Sequence, residues 1–244
     1  LKRVLAFVLL LAGCSTAQPS PSTPNITVFA AASLTESFQK LGKEFEAAHP
    51  GTKVTFNFGG SSALAQQINQ GAPADVFASA APANMKQVTD TGAITAAPTT
   101  FAKNTLQIAV PQGNPGKVTD LADFAKADLK IALCAEQVPC GAAAKKVFAA
   151  AGVTAAPDTL EQDVKAVLTK VSLGEVDAAL VYRTDVRAAG AKVEGKDFAE
   201  ASGAVNDYPI APLAKAPAEA KDFVNFVLSE RGRAVLTEAG FAAP

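Results

Sequence analysis

The chain of 244 residues is 49% hydrophobic and 18% charged, which is enough for two domains of ordinary size and too apolar for a disordered chain. Its 22 basic and 23 acidic residues leave a net charge of -1, with no basic run or stripe, so no nucleic-acid partner is expected. A single histidine and no tryptophan exclude a multi-histidine metal centre.

Lys2 and Arg3 precede an apolar run from Val4 to Ala12 (VLAFVLLLA), shorter than the roughly 20 residues that span a bilayer. Residues 1–13 read as a signal peptide. The run ends in Leu11-Ala12-Gly13-Cys14, which resembles the bacterial lipobox and implies that Cys14 is lipidated and becomes the new N-terminus. Removal of Lys2 and Arg3 would leave a mildly acidic mature chain. Residues 14–24 continue as CSTAQPSPSTP, small and polar, a tether that cannot pack a core. The expected location is the outer face of the cytoplasmic membrane, held there by a lipid at Cys14.

From Asn25 onward β-rich runs alternate with helical patterns, the signature of an α/β fold. Ile26 to Ala30 (ITVFA) reads as a buried strand. Leu34, Phe38, Leu41 and Phe45 then share one helical face. Val54, Phe56 and Phe58 alternate as a second strand, and Leu64 and Ile68 mark a short helix ended by Gly71. Further strands are expected at Asp75 to Ala78, Thr105 to Val110, Leu129 to Leu133, Asp177 to Tyr182 and Asp207 to Ala211. Further helices are expected near 82–90, 118–127, 141–151, 163–173 and 217–240. The βα units fall into two groups, and the proline-flanked segments 99–110 and 204–214 can each cross between them as a hinge. The first lobe would comprise 25–103 and 208–244, and the second 104–207.

Three strand-to-helix turns are built from small residues: Ala30 to Thr35 (AAASLT), Phe58 to Ala63 (FGGSSA) and Val138 to Ala143 (VPCGAA). At the carboxyl ends of strands in open α/β sheets, helix N-termini offer free N–H groups and partial positive charge to an anion. None of the turns contains Lys or Arg, which suits a small oxyanion held by neutral dipoles better than a ligand clamped by arginine. Each turn also has a purely structural explanation. Ser33 with Glu36 fits a capping box, and Gly59-Gly60 fits an ordinary turn. With Cys14 lipidated, Cys134 and Cys140 remain as an even pair in an exported chain, and a disulfide between them is expected.

Four segments carry a resemblance over essentially the whole chain from Ile26: ITVFAAASLTESF at 26–38, FGGSSALAQQINQGAPADVFASA at 58–80, QVPCGAAAKK at 137–146 and EQDVKAVLTKVSLGEVDAALVYRTDV at 161–186. Together they resemble the periplasmic molybdate-binding proteins that feed molybdate ABC transporters. The resemblance implies a two-lobed, periplasmic-binding-protein-like α/β fold, each lobe a mostly parallel sheet flanked by helices. It implies binding of molybdate, and of tungstate, between the lobes by neutral donors: the hydroxyls and amides of Ser33 and Ser61, the amides of Cys140 and Val164, and the hydroxyl of Tyr182. It also implies delivery to a membrane permease, no catalysis, no cofactor beyond the ligand and no direct protein ligand to molybdenum. A monomer is expected. Cys140 replaces the alanine common at its position, and Gly59-Gly60 replaces a more hydroxyl-rich run.

Donor-only chemistry suits an unprotonated dianion and disfavours hydrogen phosphate, whose hydroxyl would face donors. Sulfate meets the same criterion, so a same-fold binder of another oxyanion is the alternative. An exported serine hydrolase using Ser61 or Ser62 lacks both a G-x-S-x-G elbow and a spare histidine. Asp75 reads as a turn or cap acceptor and His49 as a polar helix end. Asp158, Glu161 and Asp163 are expected to face solvent ahead of a helix, and strand alternation points Arg183 away from the Tyr182 face.

Overall fold

The computed structural model describes residues 25–244; the expected signal peptide, the tether and Cys14 lie outside the described residues. The strands form two five-stranded sheets. The first runs in the order β2 (Lys53–Gly59), β1 (Asn25–Ala31), β3 (Val76–Ala78), β10 (Asn206–Pro212), β4 (Thr99–Asn104). The second runs β7 (Thr159–Glu161), β6 (Ile131–Cys134), β8 (Ala178–Tyr182), β5 (Leu106–Pro111), β9 (Val193–Lys196).

Both sheets are mixed. In the first, β10 is antiparallel to β3 and β4, and in the second β5 is antiparallel to β8 and β9, while the remaining pairs are parallel. The reversed strands are the two that receive the chain as it changes sheet. Parallel neighbours are joined by crossover connections, whereas these two strands arrive from the other sheet. The chain leaves the first sheet at Asn104, joins the second at Leu106 and returns at Asn206.

Helices cover both sheets. The first lobe carries α1 (Thr35–Ala48), α2 (Ser61–Asn69), α3 (Pro82–Thr89), α7 (Ala218–Leu228) and α8 (Glu230–Ala239). The second carries α4 (Pro139–Ala151), α5 (Val164–Ser172) and α6 (Arg183–Ala189). The periodic face of α1 is fully buried at Phe38, Leu41 and Phe45, with Leu34 just before it. The Phe38 ring lies 6.3, 5.7 and 6.2 Å from those of Phe56, Phe101 and Phe223, so strands and α7 meet on one side chain. Truncating it to alanine would cost about 3–5 kcal/mol. The second lobe has its own core of Ile108, Ile131, Val147, Val167 and Leu180.

Several expected elements differ. The helix near 118–127 is a single 3-10 turn, Leu121–Ala125, capped by Asp120, and the chain is extended again at Lys126. The long helix at 217–240 breaks at Ser229, whose backbone is extended and whose hydroxyl accepts from the Gly232 N–H to cap α8. The short β7, α6 and β9 carry too few residues for a periodic signal. Arg183 opens α6 instead of continuing the strand, and its guanidinium reaches Asp197 at 2.6 Å.

This topology aims one end of each sheet at the other. The chain passes from β1, β2, β6, β7 and β8 at their carboxyl ends directly into α1, α2, α4, α5 and α6. Five helix beginnings thereby face a common cleft.

Candidate anion-binding site

At the centre of that cleft is a cavity of about 20 Å³, room for one compact guest and not for a sugar or peptide. Ala31 to Ser33 and Gly59 to Ser61 line it from the first lobe, and Val138 to Cys140, Asp163, Val164 and Tyr182 from the second. The three small-residue turns thus converge. All five residues expected at the site, Ser33, Ser61, Cys140, Val164 and Tyr182, line the cavity and are buried. No lysine, arginine or histidine lines it.

The two serines are set by what already occupies their oxygens. Ser61 Oγ accepts from the Ala80 N–H at 3.0 Å, which leaves its own hydrogen to point elsewhere. Ser33 Oγ lies 2.9 Å from the Tyr208 hydroxyl. Tyr208 is fully buried and lies 3.5 Å from Asn104 Nδ2, which also donates to Thr184 Oγ1 at 2.8 Å. Asn104 donates to Tyr208, and where Tyr208 in turn donates to Ser33 the Ser33 hydrogen is left for the cavity. The capping box between Ser33 and Glu36 does not form: α1 begins at Thr35 without a side-chain cap.

The second lobe offers backbone. Val138 is the N-cap of α4 and Pro139 its first residue, so Cys140 presents the first N–H of that helix, with no intrahelical acceptor. The Cys134–Cys140 disulfide forms. It closes a tight turn: a Cβ on Gly141 would overlap Ala135 O, so the loop folds directly against the start of α4. Asp163 caps α5 by accepting from the Lys165 and Ala166 N–H groups at 2.8 and 2.9 Å. That leaves the Val164 N–H, at the first helical position, unused by the cap.

Asp163 is the one carboxylate lining the cavity, and those two amides hold one of its oxygens. The expected solvent-facing cluster holds for Asp158, which is exposed, and is corrected for Glu161 and Asp163, which are half-buried. Asp163 lines the cavity, Asp158 Oδ2 accepts from the Ile131 N–H at 2.7 Å, and Glu161 is paired with Lys170 at 3.7 Å. The Asp163 cap is local, whereas the Asp158 donor lies 27 residues away in sequence.

Tyr182 ends β8 and is 1% exposed, and its hydroxyl has no hydrogen-bond partner. A buried hydroxyl without a partner is costly, and this one lines the cavity. Burial, with Tyr208 and Asp185 nearby, pushes its phenol far above the ordinary value, so it remains a protonated donor. Two residues set aside from the site behave structurally. Asp75 Oδ2 accepts from the Thr27 N–H at 2.7 Å, and His49 stacks on Phe45 with ring centroids 4.0 Å apart. Tyr208 and Asn104 carried no sequence signal, because their partners lie 80 or more residues away.

Fold and cavity together define a two-lobed protein with a small cavity between its lobes, the architecture of a solute-binding protein. The family of bacterial extracellular solute-binding proteins matches over residues 26–242, and the chain belongs to it. The molybdate-binding protein ModA of Mycobacterium tuberculosis is 44% identical over 232 residues, covering 94% of this chain and 89% of the relative. ModA of Escherichia coli is 33% identical over 233 residues, covering 88% of each. The periplasmic molybdate-binding protein of Azotobacter vinelandii shares the fold, with a TM-score of 0.79 at 22% identity, over 90% of this chain and 99% of that one. These are transport proteins that bind solutes, and this chain is a binding protein, not an enzyme.

Proposed function

We propose that the protein captures molybdate, and tungstate with it, in the interlobe cavity and delivers it to the permease of an ABC transporter, tethered to the membrane by a lipid on Cys14. The observation that carries this reading is the Tyr182 hydroxyl, buried and unpartnered in a cavity that no cationic side chain lines and whose one carboxylate, Asp163, is engaged by the Lys165 and Ala166 amides. The bound dianion would accept from the hydroxyls and amides of Ser33 and Ser61, the amides of Cys140 and Val164 and the hydroxyl of Tyr182. A tetrahedral anion with no proton of its own satisfies every donor. A protonated one would turn a hydroxyl toward them.

Each such hydrogen bond nets about 1.5–3 kcal/mol, so the set can offset desolvation and lobe closure and still leave sub-micromolar affinity. Because donors come from both lobes, hinge closure about Asn104–Leu106 and the approach to Asn206 completes the site. The test is a thermal shift of the purified protein with molybdate, tungstate, sulfate and phosphate at equal concentration. Ligand bound to the folded state raises the melting temperature by an amount that grows with the logarithm of its concentration over Kd. Shifts with molybdate and tungstate alone are expected; an equal shift with sulfate, or none with any oxyanion, would refute the assignment of ligand.

A further inference from the structure

We infer that Lys165 is a positioning residue that latches the two lobes together over the cavity, a role that rests on the binding function proposed above. Its Nζ donates to both carboxylate oxygens of Glu36, at 2.8 and 2.9 Å, and lies 3.2 Å from Asp185 Oδ1. Glu36 is in the first turn of α1, on the first lobe, whereas Lys165 and Asp185 belong to α5 and α6 on the second. Among the described residues it is the one ion pair that joins the lobes.

The three residues of this cluster adjoin three of the candidate donors. Glu36 lies one helical turn beyond Ser33, Lys165 follows Val164 directly, and Asp185 Oδ2 accepts from the Tyr182 N–H at 3.1 Å. A single ammonium therefore bears on the segments that present a hydroxyl from one lobe and an amide and a phenol from the other.

Asp185 explains why this pair exceeds an ordinary surface contact. It is fully buried, and burial pushes its carboxyl up to about 6 although Lys165 and the Tyr182 N–H pull it down. Burial alone would lower the Lys165 ammonium, but Asp185 and Glu36 outweigh that and hold it above its ordinary value. Lys165 and Asp185 stay together in the second lobe whether the cleft is open or closed. The lysine is thus already oriented at the rim, and the ordering cost that weakens most exposed pairs is largely removed before Glu36 arrives.

The experiment compares the wild-type protein with Glu36→Gln, which breaks only the cross-cleft contact at a half-exposed position. Stopped-flow measurement of molybdate should show dissociation about fivefold faster with association little changed, since an exposed pair contributes up to about 1 kcal/mol. Fluorescence energy transfer between dyes on the two lobes should show the ligand-free variant more open than wild type. Unchanged dissociation with an unchanged distance distribution overturns the latch, as does a loss carried by association alone. Should the wild type bind no molybdate, the proposed ligand falls while the distance distribution still decides the latch.

Discussion

The two walls of the cleft present the same kind of donor by different means. In the proposed site the first lobe adds hydroxyls to its amides at Ser33 and Ser61, whose side-chain oxygens are engaged by Tyr208 and by the Ala80 N–H. The second uses backbone, the Cys140 and Val164 amides at helix starts, with Tyr182 alone supplying a side chain. A wall made of side chains can be erased by truncation. A wall made of backbone responds only to geometry, because every residue but proline carries the same N–H.

The largest effect should come from the geometry between the walls. A Cβ on Gly60 would overlap Gln162 O and approach Val138 Cγ1 at 3.3 Å, both on the opposite lobe. The backbone of Gly60, at φ -62° and ψ 130°, accepts any residue, so Gly60→Ala should leave thermal stability without ligand unchanged. Closure should be obstructed, and calorimetry should show affinity for molybdate reduced about a hundredfold.

Erasing the hydroxyl wall comes next. Ser33→Ala with Ser61→Ala should weaken binding at least about tenfold with the fold intact, each hydrogen bond to a charged guest being worth about 1.5–3 kcal/mol. The amide wall gives the contrasting result: Val164→Ala retains the N–H and should change affinity by less than about threefold in the same titration. Equal losses in the two experiments would remove the distinction between the walls.

Smallest in reach, and independent of the ligand, is the response to acid. Desolvation would raise the buried Asp123 carboxyl, but Lys126 and the Thr119 and Asp120 N–H groups outweigh it and hold it down at about 2. Stability from a lowered carboxyl is fully present above its unfolded value near 4 and is lost as pH falls through 2. Asp185, raised to about 6, acts in the opposite sense: its contribution is complete below the unfolded value and is lost as pH rises through 6. Asp123→Asn should remove about 2 kcal/mol near neutral pH and flatten the limb between about pH 4 and 2 in denaturant titrations.

How much of this was legible in the sequence follows from the range of the interactions. The turns at 30–35, 58–63 and 138–143 were readable because small residues at the end of a β-run are a local signature, and the topology brings all three to one cavity. The α1 face was readable for the same reason, since a 3.6-residue period needs no tertiary partner. Tyr208 was not, because its value lies in reaching Ser33, 175 residues away. The capping bonds of Asp163 to the Lys165 and Ala166 amides are local, but its place beside the cavity was not legible, because the cavity is assembled from segments of both lobes. Glu36 looked like the far end of a capping box, and its partner proved to be a lysine on the other lobe.

The most direct test is a crystal structure of the protein with tungstate, the heavy atom located by its anomalous scattering. The account places a single peak in the cavity, its oxygens within hydrogen-bond distance of Tyr182 Oη, the Ser33 and Ser61 hydroxyls and the Cys140 and Val164 amides. A peak outside the cavity, or an anion there that leaves the Tyr182 hydroxyl without a partner, would contradict it.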